Sequence, residues 1–261
     1  MPGPGRGEDL PRMSLLDHLE ELRKRLFASI LAIAVAFFAC WAVARPIFGF
    51  LAAPIYRYLP PGEKLAFLGV TDAFMLYVKV AGLAAIFVAS PVVLYQVWRF
   101  VSPGLYARER RMAVPFIVSG TGFFLAGGAF AYYVAFPFAV QFLLEMGEDF
   151  KPVITVERYF SFLMTVILGL GVMFELPVLI VLLSMIGLVT PQFLLRKMRW
   201  AVLIIAFLSA LLTPTPDIFN MSLFFFPTMG LYLLGIAGSL LVQWLRRRRA
   251  APSEGTDSET A

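Results

Sequence analysis

The sequence predicts an all-α polytopic membrane protein with six transmembrane helices. Three observations support this fold class: the composition, a series of long apolar runs, and the uneven placement of basic residues. Of the 261 residues, 60% are hydrophobic and 15% are charged, whereas soluble domains are about half apolar and a quarter charged. The apolar runs follow one another without a gap long enough for a soluble domain. We therefore expect one membrane domain.

The first element is predicted to be an amphipathic helix. Residues 1–13 are rich in proline and glycine, and we expect them to be disordered. Ser14 then has the character of an N-cap, with Asp17 three residues later completing a capping box. Apolar residues follow at helical spacing along one face: Leu15, Leu19, Leu22 and Leu26. This pattern predicts a helix that lies at the membrane interface and runs into the first span.

Six apolar segments follow, and each is interpreted as a span. They cover about residues 26–44, 73–98, 112–140, 158–187, 200–212 and 223–245. Crossing the hydrocarbon takes about 20 apolar residues, so the fifth span is short. We expect short fifth and sixth spans, with a thinned bilayer around them. The first external loop, 45–72, is long and contains prolines, and we expect it to be an ordered cap rather than a linker.

Lysine and arginine determine the predicted orientation. The loops on one side carry sixteen basic residues and those on the other carry five. The larger set is Arg6, Arg12, Arg23, Lys24, Arg25, Arg99, Arg108, Arg110, Arg111, Arg196, Lys197, Arg199 and Arg246 to Arg249. By the positive-inside rule both termini face the cytoplasm. The predicted membrane domain covers 14–245, and 246–261 form a basic and then disordered cytoplasmic tail.

The connector from Arg99 to Arg111 is the first candidate for function. It is a short charged stretch between two long apolar runs, punctuated by Pro103-Gly104, and it contains four arginines around a single carboxylate, Glu109. That acid is either a counter-charge for its neighbours or a docking point for a cation brought by another molecule.

The second candidate is Glu175, deep in the fourth predicted span. A charge at that depth costs about 2.5–3.5 kcal/mol on insertion scales, so the acid should face protein or water. Pro177 removes a backbone donor and loosens the turn beside it. The alternative is a protonated structural acid bonded to a neighbouring helix. Lys79 lies near the outer end of the second span, where we expect a structural role, and a Lys79–Glu175 pair is not favoured.

Other polar residues have simpler interpretations. Glu20 with Lys24, and Glu21 with Arg25, are i,i+4 pairs that stabilise a surface helix by a few tenths of a kcal/mol each. Gln96 either caps backbone or lines a groove. His18 has no catalytic partners nearby in the sequence. Four glycines of the third span predict close helix packing: Gly120, Gly122, Gly127 and Gly128.

Enzyme classes find no support in the sequence. It has no nucleophile and base at one membrane depth, no metal-ligand spacing, and no nucleotide-binding motif. Cys40 is the single cysteine, which excludes a disulfide within the chain. The basic excess is explained by topology and not by nucleic acid. We therefore expect no cofactor, metal or catalytic residue, and interpret the protein as a binder or a transporter.

Five ordered motifs resemble the TatC family, the receptor subunit of the twin-arginine translocase. They span about residues 14 to 245, which makes the resemblance specific. The motifs are His18-Leu-Glu-Glu-Leu-Arg-Lys-Arg-Leu26, Tyr95-Gln-Val-Trp-Arg-Phe100 with Pro103-Gly104-Leu105, Glu109-Arg-Arg111, Phe174-Glu-Leu-Pro-Val178 and Thr213-Pro-Thr-Pro-Asp217. The last has one more residue between its prolines than the commoner Thr-Pro-Pro-Asp form.

The resemblance implies a receptor in the inner membrane of a prokaryote that binds twin-arginine signal peptides of folded cargo, whose export is driven by the proton-motive force. It implies that Glu21 and Glu109 meet the paired arginines, with Arg23 and Phe100 as further receptor residues. A planar guanidinium offers a carboxylate two donors, which lysine cannot do.

The resemblance further implies that Glu175 lies in a groove where single-span TatA-like and TatB-like subunits dock, and that the receptor self-associates. Pro54 and Asp217 resemble parts of the external caps. A different reading of the same residues is a proton-coupled secondary transporter that uses Glu175 as its carrier group. That reading needs a second polar midspan residue in a matching half of the chain, and none is evident. An intramembrane hydrolase is a weaker alternative.

Overall fold

The computed structural model describes residues 15–58, 65–102, 113–147, 149, 153–213 and 217–250. Across these residues the chain is helical and forms no strand. The helices are α1 Leu15–Ala42, α2 Ala44–Tyr56, α3 Asp72–Val101, α4 Ala113–Phe130, a π-helical turn Ala131–Ala135, α5 Phe136–Glu145, α6 Val156–Phe174, α7 Leu176–Met185, α8 Pro191–Arg196, α9 Met198–Leu212 and α10 Ile218–Ala250. The predicted all-α class is confirmed.

The helical stretches match the predicted spans closely. Five are long and apolar enough to cross a membrane: Leu16–Ala42, Asp72–Val101, Ala113–Glu145, Val156–Met185 and Ile218–Leu245. The fifth predicted span is α9, which has 15 residues and therefore a length of about 22 Å at ~1.5 Å per residue. It is short, as the sequence indicated. The protein is a multi-pass membrane protein.

The amphipathic N-terminal segment runs into the first span as predicted, because α1 extends without interruption from Leu15 to Ala42; the predicted cap Ser14 lies outside the described residues. The structure corrects one expectation at the other end of the bundle. The sixth span is not short, because α10 has 33 residues. Two early polar side chains of this helix make local hydrogen bonds: the Asn220 side chain donates to Asp217, and the Ser222 hydroxyl donates to the Phe219 carbonyl.

The segment predicted to be the first external loop is partly helical, as expected of an ordered cap. Within it α2 runs from Ala44 to Tyr56. After a gap in the described residues, Ala66 pairs with the start of α6: its N–H donates to the Ile154 carbonyl at 3.1 Å, and the Val156 N–H donates to the Ala66 carbonyl at 2.8 Å. These two bonds fix the end of the loop to the bundle.

The main core lies where α2, α3, the π-helical turn and α6 meet. Its largest fully buried side chains include Phe136, Phe160 and Leu163. A second cluster joins α7, α9 and α10 around Ile180, Ile205, Tyr232 and Ile236. By contrast, α1 packs mainly on α3, through Ala36, Ala85 and Ala89. Small residues allow this close approach of two membrane helices.

The predicted close packing of α4 is confirmed for three of its four glycines. A Cβ at Gly127 would lie 2.8 Å from the Leu170 carbonyl oxygen of α6, and one at Gly128 would lie 2.4 Å from Cε1 of Phe87. A Cβ at Gly120 would meet Leu94 at 3.0 Å. The prediction is wrong for Gly122, where a Cβ would have no atom within 4 Å, because this residue faces outward.

Candidate functional site

The N-terminal part of α1 and the C-terminal part of α3 bring several predicted site residues together. We call these residues the rim cluster: His18, Glu21, Arg25, Gln96 and Phe100. On α1 the three members are spaced by three and four residues, and on α3 the two members are four apart. Helical geometry therefore places each set on one face of its helix. The two faces meet because α1 packs on α3.

The centre of the rim cluster is an ion pair between Glu21 and Arg25. The Arg25 Nε donates to Oε1 of Glu21 at 2.7 Å and Nη2 donates to the same oxygen at 2.5 Å. The third arginine nitrogen, Nη1, donates to Oε1 of Gln96 on α3 at 3.3 Å. One guanidinium thus links the two helices through a carboxylate and an amide.

The burial of this pair distinguishes it from its neighbour on the same helix. The side chains of Arg25 and Glu21 are 19% and 22% exposed, whereas those of Lys24 and Glu20 are 64% and 62% exposed. Both predicted i,i+4 pairs are therefore confirmed, but only one is half-buried. A carboxylate removed from water interacts more strongly with a cation than one on an open surface.

Two stacked rings, those of His18 and Phe100, complete the rim cluster. The His18 imidazole stacks on the Phe100 ring with centroids 4.5 Å apart and planes inclined by 26°. This role of His18 was not predicted from the sequence, since no local pattern pairs residues that are 82 positions apart. Phe100 is half-buried and His18 is exposed, so the stack is a flat apolar surface one turn from Glu21.

The structure separates Arg23 from the rim cluster. Arg23 follows Glu21 by two residues, which is about 200° around an α-helix, and its guanidinium lies 5.7 Å from the centroid of Phe27. Glu109 belongs to 103–112, outside the described residues, so its meeting with Glu21 stays a prediction. Gln96, for which two roles were open, bonds the Arg25 side chain and belongs to the rim cluster.

Glu175 occupies the break between α6 and α7. The fourth span is interrupted there because Pro177 at the start of α7 has no N–H to donate. The carboxyl group points at α4, where its Oε2 would lie 3.3 Å from a Cβ at Gly120. Its Oε1 is buried and, among the residues that the structure describes, has no hydrogen-bond donor. A buried carboxyl oxygen without a donor is costly.

A groove of about 520 Å³ begins next to this acid, between α4, α7 and α10. Its walls are almost entirely apolar and include Phe116, Ser119, Pro177 and Val181. Pro177 therefore connects the groove to the turn that holds Glu175.

Lys79 is engaged elsewhere. Its Nζ donates to the Ser161 hydroxyl at 3.1 Å and lies 3.6 Å from a Glu157 oxygen. These partners belong to the N-terminal end of α6, so Lys79 pairs with Glu157 and not with Glu175. The predicted structural role agrees with this placement.

The two residues compared with external caps both lie at structural junctions. Pro54 is buried within α2. The Phe50 carbonyl, four residues earlier, accepts a hydrogen bond from the Tyr132 hydroxyl of the π-helical turn. The Tyr159 hydroxyl donates to the Leu51 carbonyl at 3.2 Å.

Asp217 precedes α10 and accepts the Asn220 N–H at 2.7 Å, as an N-cap does.

Comparison with known proteins gives one consistent result. The family model for Sec-independent protein translocase protein (TatC) matches residues 17–227. The TatC protein of Koribacter versatilis is 43% identical over 245 residues, which cover 93% of this chain and 90% of that protein. TatC of Escherichia coli strain K12 is 39% identical over 223 residues, covering 85% and 86%.

The fold gives the same answer. A crystal structure of the twin-arginine translocase receptor TatC superposes with a TM-score of 0.76 at 32% identity, covering 87% of this chain and 99% of that one. The matched region contains every described residue of the rim cluster and Glu175. The chain therefore belongs to the TatC family of Sec-independent protein translocase proteins.

Proposed function

We propose that this chain is the receptor subunit of a twin-arginine protein translocase. The observation that carries the proposal is the half-buried Glu21 carboxylate, which already binds a guanidinium through two donors. A site that holds one guanidinium in this way has the chemistry needed to hold the arginine of a signal peptide. Membership of the family supports the same role.

A complete signal-peptide site needs a second carboxylate for the second arginine. We assign that role to Glu109, which comes after α3 in the chain and therefore after Phe100 of the rim cluster. Phe100 provides an apolar surface beside Glu21 in its stack with His18. Arg23 is assigned a supporting role at the exposed side of α1, where it adds positive charge that repels peptides without correctly placed arginines.

Partner subunits are assigned to the Glu175 region. The buried oxygen without a donor and the adjoining apolar groove favour a single transmembrane helix that carries a polar group at matching depth. TatA-like and TatB-like single-span subunits have this form. Pro54 and Asp217 support the external ends of the helices that frame the groove.

The proposed setting combines the charge distribution of the chain, which gives the orientation, with what membership of the family implies. Both termini face the cytoplasm of a prokaryotic cell, and the chain lies in the inner membrane as part of a self-associating receptor complex. Its role is binding and not catalysis, without cofactor, metal or nucleic acid, and transport of folded cargo draws on the proton-motive force. A reporter fused after Arg249 tests the orientation: cytoplasmic activity is expected, and external activity contradicts the assignment.

Binding of a synthetic twin-arginine peptide to the purified protein in nanodiscs tests the function. Glu21→Gln should abolish preference for the twin-arginine peptide over its twin-lysine form, because the neutral amide loses the charge-assisted bonds. Glu20→Gln, at the exposed neighbouring pair, is the matched control and should leave binding unchanged. Equal binding of both peptides to the unaltered protein contradicts the proposal.

The transporter alternative rests on the same buried acid, Glu175. It predicts proton-coupled uptake of a solute into proteoliposomes that is lost in Glu175→Gln. It also needs a second proton-carrying group close to Glu175, whereas Oε1 of this carboxyl group has no hydrogen-bond partner among the described residues. The receptor function is therefore the better supported one.

A further inference from the structure

We infer that Arg25 is a resident guanidinium that occupies the signal-peptide site and must be displaced before a peptide arginine can bind. The inference rests on the proposed function and adds a competitor to it. The site is already occupied by a residue of the same chain. The Glu21 carboxylate, which we assign to the arginine of a signal peptide, accepts hydrogen bonds of 2.7 and 2.5 Å from Arg25 of its own helix. Arg25 neutralises the charge of this carboxylate, so a second cation at Glu21 gains the full attraction of an unpaired carboxylate only when Arg25 leaves.

An ordinary surface pair would not have this effect. The Glu20–Lys24 pair has the same spacing and a distance of 2.8 Å, but about two-thirds of each side chain is exposed to solvent. Water replaces such a partner at little cost. The Glu21–Arg25 pair is half-buried between α1 and α3, where water access is reduced and a competing cation has to break stronger bonds.

Gln96 gives the displaced arginine a place to go. Its amide oxygen already accepts the Arg25 Nη1 at 3.3 Å, from the other helix. When a visiting guanidinium takes the carboxylate, Arg25 keeps this bond to a neutral acceptor and is not left unpaired. The exchange therefore replaces one guanidinium with another at Glu21, while Arg25 moves off the carboxylate and stays bonded to Gln96.

Competition from Arg25 lowers the affinity of the site for every cationic peptide and does not change its preference for arginine over lysine. Removing Arg25 from Glu21 costs the same whether the visitor carries arginine or lysine. The resident guanidinium therefore weakens both peptides by one factor and leaves the ratio of their affinities unchanged. The selectivity for arginine comes from the planar guanidinium of the peptide, which offers two donors to the carboxylate. Arg25 prevents weakly binding cationic segments from occupying the site.

The test measures the dissociation constants of the twin-arginine and twin-lysine peptides for the protein in nanodiscs. Arg25→Gln should tighten both by about tenfold, or about 1.4 kcal/mol, relative to Lys24→Gln, which removes the same charge from the exposed pair. Tightening no greater than in Lys24→Gln overturns the inference, as does weaker binding by a variant that retains its thermal stability. Loss of twin-arginine preference in the unaltered protein would instead refute the proposed function, and the inference with it.

Two further variants keep the test independent of charge and folding. Arg25→Lys retains the charge but has no fork, so both peptides should bind about threefold to tenfold more tightly, while the reverse exchange at the exposed pair, Lys24→Arg, should have no effect. Gln96→Leu should weaken peptide binding in the unaltered background but not in Arg25→Gln, where no arginine needs a second acceptor. A Gln96→Leu effect of equal size in both backgrounds overturns the proposed exchange.

Discussion

The hydroxyl of Tyr132 stabilises the external helix α2 at the point where Pro54 interrupts its hydrogen bonds. A proline cannot donate to the carbonyl four residues before it, which here is Phe50. The Tyr132 hydroxyl donates to that carbonyl, and its ring stacks on the Phe50 ring with centroids 4.6 Å apart. Tyr132→Phe keeps the stacked ring and removes only the donor.

The expected cost follows from leaving a carbonyl without a partner in a site where Tyr132 is 7% exposed. Such a loss costs about 1–3 kcal/mol, and each kcal/mol lowers the melting temperature of a chain of this size by about 2–4 °C. We therefore expect thermal unfolding in detergent to begin about 2–12 °C lower in Tyr132→Phe. The matched control is Tyr133→Phe, which removes a hydroxyl from a side chain that is 66% exposed and should change little.

A second background separates this explanation from a general packing defect. Pro54→Ala restores an N–H that can donate to the Phe50 carbonyl. In that background Tyr132→Phe should cost clearly less, since the carbonyl has another donor, and the two substitutions form a double-mutant cycle. An equal cost with and without Pro54, or equal shifts for Tyr132→Phe and Tyr133→Phe, would refute the reasoning.

Three further predictions use purified variants. Gly127→Ala should lower the unfolding temperature, at a cost of about 1–3 kcal/mol, because its Cβ would lie 2.8 Å from the Leu170 carbonyl oxygen; Gly122→Ala, with open space around it, should leave stability unchanged or raise it. Asp217→Ala should cost about 1 kcal/mol in unfolding experiments by removing an N-cap, and Asp217→Asn should restore most of it. Glu175→Gln should retain or raise stability, since it replaces a buried acid that lacks a donor, yet reduce co-purification of single-span partners; unchanged co-purification would count against the docking role.

The long helices were predictable because membrane thickness constrains their length. Each long apolar run of the sequence became a helix of sufficient length, and the pairs Glu20–Lys24 and Glu21–Arg25 followed from helical spacing alone. The start of α10 was missed because Asn220 and Ser222 interrupt the apolar run. Hydropathy treats both as unfavourable in lipid, although each is bonded inside the helix.

The composition of the rim cluster could be predicted only in part. Glu21 and Phe100 were identified by motif resemblance, but the residues that contact them depend on the axial position of α1 relative to α3. The bond between Arg25 and Gln96 joins residues 71 positions apart, and the stack of His18 on Phe100 has no signal in either helix alone. Such contacts depend on the packing of two helices, and periodicity within one helix carries no information about it.

The packing of α1 mainly against α3 has a consequence for biogenesis. The contact uses Ala36, Ala85 and Ala89, all of which precede residue 102, so this helix pair needs nothing encoded later in the chain. Since membrane proteins are made from the N-terminus onward, the pair can associate while the ribosome is still translating the segment that carries Glu175. The helix pair that carries Glu21 can therefore form before the segment that carries Glu175 has been made.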